Sequence, residues 1–159
     1  MSVRRGTPAD ADALRAIRLE ALADTPEAFG STYDETAQWS DEQWREVAGR
    51  WAFFLAEDDG AVVGMATGGD HDRHPGTSWL FGMYVAPSAR GTGAADALVD
   101  AVAQWARARG ADALYLHVTE LVPRARAFYE RVGFVPTGEV ETLRRDASVT
   151  LSTLVKRLG

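Results

Sequence analysis

No cysteine occurs in the 159 residues, which removes disulfides, thiolate metal sites and a cysteine nucleophile together. Lysine is nearly absent: Lys156 stands against sixteen arginines. The net charge of −6 and a pI near 5.0 argue against a broad nucleic-acid footprint and weakly favour a cationic or amine substrate. No apolar run is long enough to span a bilayer, so no membrane partner is expected. His71, His74 and His117 lack the helical i, i+4 spacing of a zinc-protease pair; His71 and His74 could at most form part of a weak site, and no metal is expected. Met1–Asp12 is polar and charged with no apolar signal stretch, so a cytoplasmic location is expected. What is present suffices for one core: 46% hydrophobic and 25% charged residues suit a single domain over residues 1–159.

Val3–Arg5 reads as a short strand. Thr7, Pro8 and Asp10 are a helix start, and Leu14, Ile17, Ala21 and Leu22 recur at helical spacing to about Ala23. Asp24-Thr25-Pro26 breaks that helix. Ser40 with Gln43 opens another through Trp44 and Val47. Asp59-Gly60 is a hairpin turn between strands Ala52–Ala56 and Ala61–Thr67. Gly68–Thr77 reads as a polar loop holding His71 and His74 as mobile residues. Ser78–Val85 is a central strand, and Ala113–Val118 is another buried one, with His117 a strand residue whose ring is satisfied. Helices are expected from Ala94 to Arg109 and from Pro123 to Val132, each closed by a glycine, with final strands at Phe134–Val140 and Val149–Val155. The order predicts an α/β or α+β domain: a mixed, mostly antiparallel sheet flanked by helices.

Chemistry concentrates where the strand ending at Val85 meets a glycine-rich turn, Arg90-Gly91-Thr92-Gly93-Ala94-Ala95, from which a helix starts. Unpaired N–H groups and the helix dipole make such a turn an anion site, most naturally for phosphate. No Lys-Ser or Lys-Thr follows the glycines, so a P-loop is excluded, and the third glycine or alanine of a dinucleotide fingerprint is missing.

This loop resembles the acyl-CoA pyrophosphate loop of the GNAT superfamily of N-acetyltransferases. A second stretch, Arg124-Ala125-Arg126-Ala127-Phe128-Tyr129-Glu130-Arg131-Val132-Gly133-Phe134, is similar to that family's tyrosine-bearing helix followed by Gly-Phe. The resemblance covers nearly the whole chain. It implies a splayed central strand pair, with acetyl-CoA as cosubstrate between the strands ending at Val85 and Val118. Met83 and Val85 would hold the pantetheine arm by their backbone. The amides of Gly91, Gly93, Ala94 and Ala95 would take the pyrophosphate, with Arg90 adding charge. Tyr129 would protonate the departing thiolate.

Two departures from the family pattern concern the acceptor side. Val122 stands where an asparagine is common, and Trp79–Tyr84 carries no carboxylate where many relatives keep a glutamate base. Glu120 is the leading replacement base, with Asp34 and Glu35 behind it. Phe29, Tyr33, Trp39 and Tyr84 are expected to line the acceptor site. The expected activity is direct acetyl transfer to a primary amine of a small molecule or amino-acid-like acceptor. A non-catalytic acyl-CoA sensor and a protein N-terminal or lysine acetyltransferase are the alternatives. The edge strand near the C-terminus would suit a homodimer.

Overall fold

A computed structural model describes residues 1–159. The chain runs β1 (Ser2–Arg5), α1 (Ala11–Asp24), α2 (Tyr33–Ala37), α3 (Asp41–Arg50), β2 (Ala52–Asp58), β3 (Ala61–His71), β4 (His74–Val85), α4 (Ala94–Ala108), β5 (Ala113–Thr119), α5 (Pro123–Arg131), β6 (Val135–Leu143) and β7 (Asp146–Arg157). The seven strands form one sheet in the order β1-β2-β3-β4-β5-β7-β6. No helix is long and apolar enough to cross a membrane.

Local chemistry sets the element ends. A 3-10 turn at Pro8–Asp10 leads into α1, and the Thr7 amide donates to the Asp10 carboxylate at 2.9 Å. At α3 the Ser40 amide donates to Gln43 Oε1 and the Gln43 amide to Ser40 Oγ, a reciprocal box that satisfies two orphan donors. Asp59 and Gly60 both take positive φ, 50° and 79°, as a type I′ hairpin requires.

Alternation along the strands divides the core in two. Phe53 and Leu55 of β2 face α1 and α3, joining Leu14, Ile17, Leu22, Trp44 and Met65. Phe54 and Ala56 face the other way, with Leu98 and Val102 of α4 and Leu114 and Leu116 of β5. Each fully buried leucine or phenylalanine is worth about 1.5–3 kcal/mol, so both faces of the sheet are strongly held.

All neighbouring strands are antiparallel except β4 and β5, which run parallel and pair only at Ser78↔Leu114 and Trp79↔Tyr115. Beyond those residues no further β4–β5 pairs form, so a cleft opens in the middle of the sheet, as the resemblance implied.

One expectation fails. Gly68–Thr77 is not a loop: β3 continues to His71 and β4 starts at His74, with these two histidines paired across the hairpin. Polar and small side chains suit the solvated end of a two-strand ribbon as well as they suit a loop, and cross-strand pairing decides between the two.

Candidate active site

The glycine-rich turn has the geometry its sequence requires. A single 3-10 turn, Pro87–Ala89, closes β4; Gly91 and Gly93 then take φ of 82° and 89°, and α4 begins at Ala94. A side chain at either glycine would meet no atom within 4 Å, so the positive φ demands glycine while the space above stays open. The amides of Gly91, Gly93 and Ala95 find no acceptor within the protein. Ala94 differs from the expected pattern, because its N–H points at Thr92 Oγ1, 3.4 Å away. Thr92 in turn donates to the Ala89 carbonyl, which ties the turn back on itself.

Arg90 is not the free rim charge that its position suggested. Its Nε donates to the Val85 carbonyl at 3.1 Å, and its Nη2 lies 2.9 Å from Asp24. Asp24 and Glu20, both from α1, also meet the Tyr84 hydroxyl, at 3.4 and 3.0 Å. The last turn of α1 is thereby fastened to the strand and loop below it.

Above this loop lies a cavity of about 400 Å³, with Met83, Val85, Arg90, Gly91, Gly93 and Ala95 in its wall. A second cavity of about 360 Å³ fills the opening between β4 and β5, lined by Arg18, Phe29, Phe81, Gly82, His117 and Thr119. Met83, Val122, Ala125 and Tyr129 belong to both. Tyr129 is nearly buried, packed edge-on to Phe134, and its hydroxyl has no hydrogen-bond partner within the protein. Burial raises its ionisation well above the ordinary phenol value, so it stays an O–H donor across the neutral range.

One residue of the second cavity, Arg18, and one that braces its wall, Arg145, were not foreseen. Arg18 sits on α1 with its guanidinium 4.9 Å from the Phe29 ring centroid and forms no ion pair. Burial pulls its pKa down to about 10. A signal existed: Arg18 falls four residues after Leu14 on the apolar stripe, where a charge is out of place. Gly82, at φ 58°, makes room for it, since a Cβ there would come within 3.0 Å of Arg18 Nη1. Arg145 had no sequence signal. From the β6–β7 turn its Nη2 donates to the Phe29 and Pro26 carbonyls at 2.8 and 3.0 Å, and this pins the wall that carries Phe29.

Other expected residues are not gathered here. Phe29 lies in extended backbone before α2 and lines the second cavity, whereas Tyr33 begins that helix. Tyr33 is exposed and lines neither cavity. Tyr84 is buried on the first cavity only, and burial followed by the Glu20 hydrogen bond pushes its pKa up. Trp39 packs on Trp44 and Trp51 instead and borders a wider cleft of about 700 Å³ with Arg5, Arg50 and Arg109. Glu120, Asp34 and Glu35 are exposed and border neither cavity.

The three histidines, dispersed in sequence, converge. Trp79 stacks against Tyr115 and holds the rings of His71, His74 and His117 at 4.7, 5.2 and 4.7 Å. Glu141 of β6 lies 3.0 Å from His74 Nε2 and 3.7 Å from His117 Nε2. The expectations of mobile loop histidines and of a satisfied His117 ring both fail: His117 Nε2 is buried without a hydrogen bond. Burial lowers the pKa of His71 and of His117. Burial works against the Glu141 carboxylate, but the His74 hydrogen bond and the charges around it hold its pKa below the usual value.

A splayed parallel pair, a glycine-bearing helix start with free amides and a tyrosine between two cavities are the features set against known proteins. Residues 15–134 match the Acetyltransferase (GNAT) family, and the chain belongs to that family. Mycothiol acetyltransferase of Thermobispora bispora is 36% identical over 129 residues, covering 79% of this chain and 43% of that protein. The enzyme of the same name from Beutenbergia cavernae is 33% identical over 131 residues, covering 82% and 43%. The chain thus spans less than half the length of these curated relatives. An acetyltransferase structure from Salmonella typhimurium, determined with its cofactor acetyl-CoA, superposes with a TM-score of 0.78 at 20% identity, over 100% of this chain and 94% of that one.

Proposed function

We propose that the protein transfers the acetyl group of acetyl-CoA directly to a primary amine of a small acceptor that also carries a negative charge, as an amino acid does. The observation that carries this reading is the shared wall: Tyr129 and Met83 border both the cavity over the glycine-rich turn and the cavity within the splay. A thioester held from one side and an amine held from the other would meet there. The free amides of Gly91, Gly93 and Ala95 suit the pyrophosphate. The backbone of Met83 and Val85, no longer paired to β5, suits an extended pantetheine arm as an added strand. Arg90 occupies the Val85 carbonyl, so the arm would rely on the remaining lone pair or on neighbouring groups.

Amine attack on the thioester forms the C–N bond, breaks the C–S bond to expel a thiolate, and sheds one proton from nitrogen that restores the phenol once it has protonated the sulfur. The Tyr129 hydroxyl, unpartnered within the protein and kept protonated by burial, is the proposed donor to that sulfur. The ammonium must first lose a proton. Glu120, one residue beyond the cavity-lining Thr119, is the proposed acceptor, acting through water because its side chain lies outside the cavity. Arg18, unpaired and half-buried beside Phe29, favours a carboxylate or similar anion on the acceptor. The names of the relatives from Thermobispora bispora and Beutenbergia cavernae support a small-molecule acceptor.

The test is thiol release from acetyl-CoA across a panel of amines matched in pairs with and without a carboxylate. Turnover is expected with the anionic members, and Arg18→Gln should raise KM for them while changing KM for their neutral partners little. Binding of acetyl-CoA with no release on any amine would overturn the catalytic reading.

A further inference from the structure

The histidine cluster lies on the face of the sheet away from α4 and α5, at the paired end of the β4–β5 opening. Strand pairing brings it together. His71 and His74 face each other across the hairpin, Trp79 pairs with Tyr115, His117 with Thr153 and Glu141 with Leu151. Four strands thus contribute to one spot, and a ring nitrogen of each histidine lies within 4.8 Å of the others. Glu141 Oε1 is 3.0 Å from His74 Nε2 and 3.7 Å from His117 Nε2. Donors around tetrahedral zinc, at about 2.0–2.1 Å from the metal, stand roughly 3.3 Å apart; the three ring nitrogens lie within 4.8 Å of one another, and Glu141, outside that set, must turn toward His71 to complete it.

Hydrogen bonding alone does not account for the cluster. Glu141 is an acceptor, and one carboxylate oxygen cannot serve every ring. His117 Nε2 is left buried without a partner. An orphaned buried nitrogen is costly in a protein and calls for something to face it. A cation that accepts lone pairs from three imidazoles and a carboxylate would satisfy all four groups at once. The second Glu141 oxygen lies 2.6 Å from Arg73 Nη2 as an ion pair without a hydrogen bond, so Arg73 acts on the carboxylate, and orients it, by its charge.

We propose that His71, His74, His117 and Glu141 bind one zinc-class divalent transition-metal ion, which clasps the β3–β4 hairpin to β5 and β6. Three nitrogens and one oxygen suit zinc or cobalt rather than magnesium or calcium. Four protein ligands close the coordination sphere, so the site is structural. It is independent of acetyl transfer, but His117 also lines the acceptor cavity, so the metal would set the shape of that wall.

The test uses the full chain, stripped with a chelator, checked for folding by circular dichroism and titrated with Co(II). One cobalt per chain with the visible bands of tetrahedral Co(II), displaced by Zn(II), is expected. Zn(II) should raise the melting temperature, and Mg(II) should not. His117→Gln and His74→Gln should each abolish the bands. Arg73→Ala removes no ligand and should weaken cobalt roughly tenfold to hundredfold, which keeps the test open if a histidine variant fails to fold. A folded wild-type chain that shows no cobalt bands and no zinc-dependent shift overturns the proposal. So does cobalt binding of undiminished affinity in the folded histidine variants.

Discussion

The Arg90 guanidinium and the Asp24 carboxylate lie 2.9 Å apart, joining the rim of the glycine-rich turn to the end of the first helix. Both side chains are about one-third exposed, so the pair contributes at most about 1 kcal/mol to stability. Its larger consequence is electrostatic: Asp24 offsets the charge of Arg90, which with Arg124 and Arg131 borders the cavity over the proposed phosphate site. Asp24→Asn should leave the melting temperature nearly unchanged and tighten acetyl-CoA severalfold by calorimetric titration. A loss of affinity would mean that Arg90 acts by bracing the turn rather than by its charge.

Gly93 cannot be replaced cleanly, because its φ of 89° would strain any other residue. Ala95 is the better probe. It lies in the first turn of α4 with ordinary helical geometry, its side chain borders the cavity, and an acid there suits the helix dipole. Ala95→Glu should keep or slightly raise stability yet repel a diphosphate, weakening acetyl-CoA by roughly tenfold or more. In the unaltered protein, saturation at a hundredfold excess over Kd should stabilise the fold by about 2.7 kcal/mol. Equal thermal shifts with ATP or NADH would indicate a general anion site.

Tyr129→Phe removes one hydroxyl and keeps a ring packed against Phe134. The hydroxyl makes no hydrogen bond within the protein, so its removal should cost little stability. If it protonates the thiolate, kcat should fall by roughly a hundredfold while acetyl-CoA affinity holds, because the interaction strengthens only as charge develops on sulfur. A free thiol has a pKa of about 8.5, so the leaving group is tolerable and residual activity should remain. Full turnover in the variant would make Tyr129 a packing residue.

Asp10, which lines neither cavity, provides a pH-dependent contribution. Hydrogen bonds from Arg4, at 2.7 and 2.8 Å, and from the Thr7 amide hold its carboxyl well below the usual carboxylate range. A pKa depressed by folding stabilises above the unfolded value of about 3.9, and that contribution is lost as pH falls through the folded value. Asp10→Ala should therefore cost about 1 kcal/mol near neutrality, the scale of a lost cap. Urea unfolding should show the gap narrowing below about pH 4. A gap independent of pH would assign the loss to packing.

The sequence by itself determined the elements and the loop. The 3-10 turn after Thr7 that leads into α1, the helix start at Ser40, the Asp59-Gly60 hairpin and the positive-φ glycines of the Gly91–Gly93 turn each follow from the conformational preferences of a few adjacent residues. Two separated motifs carried the family, because their spacing reflects one strand–helix–strand–helix path. Tertiary structure decided what pairing across distance controls. Gly68–Thr77 became a hairpin because two strands bonded to each other. Arg90 was captured by a carboxylate 66 residues away, and Arg145 reached carbonyls 116 and 119 residues away. Phe29 and Tyr33 parted because a helix began between them. The histidines, spread over four dozen positions, met only because β3, β4 and β5 lie side by side, with β6 bringing Glu141 to the same face. Local preferences act over one turn of chain, whereas a site is built from whichever side chains the closed sheet brings within a few ångströms.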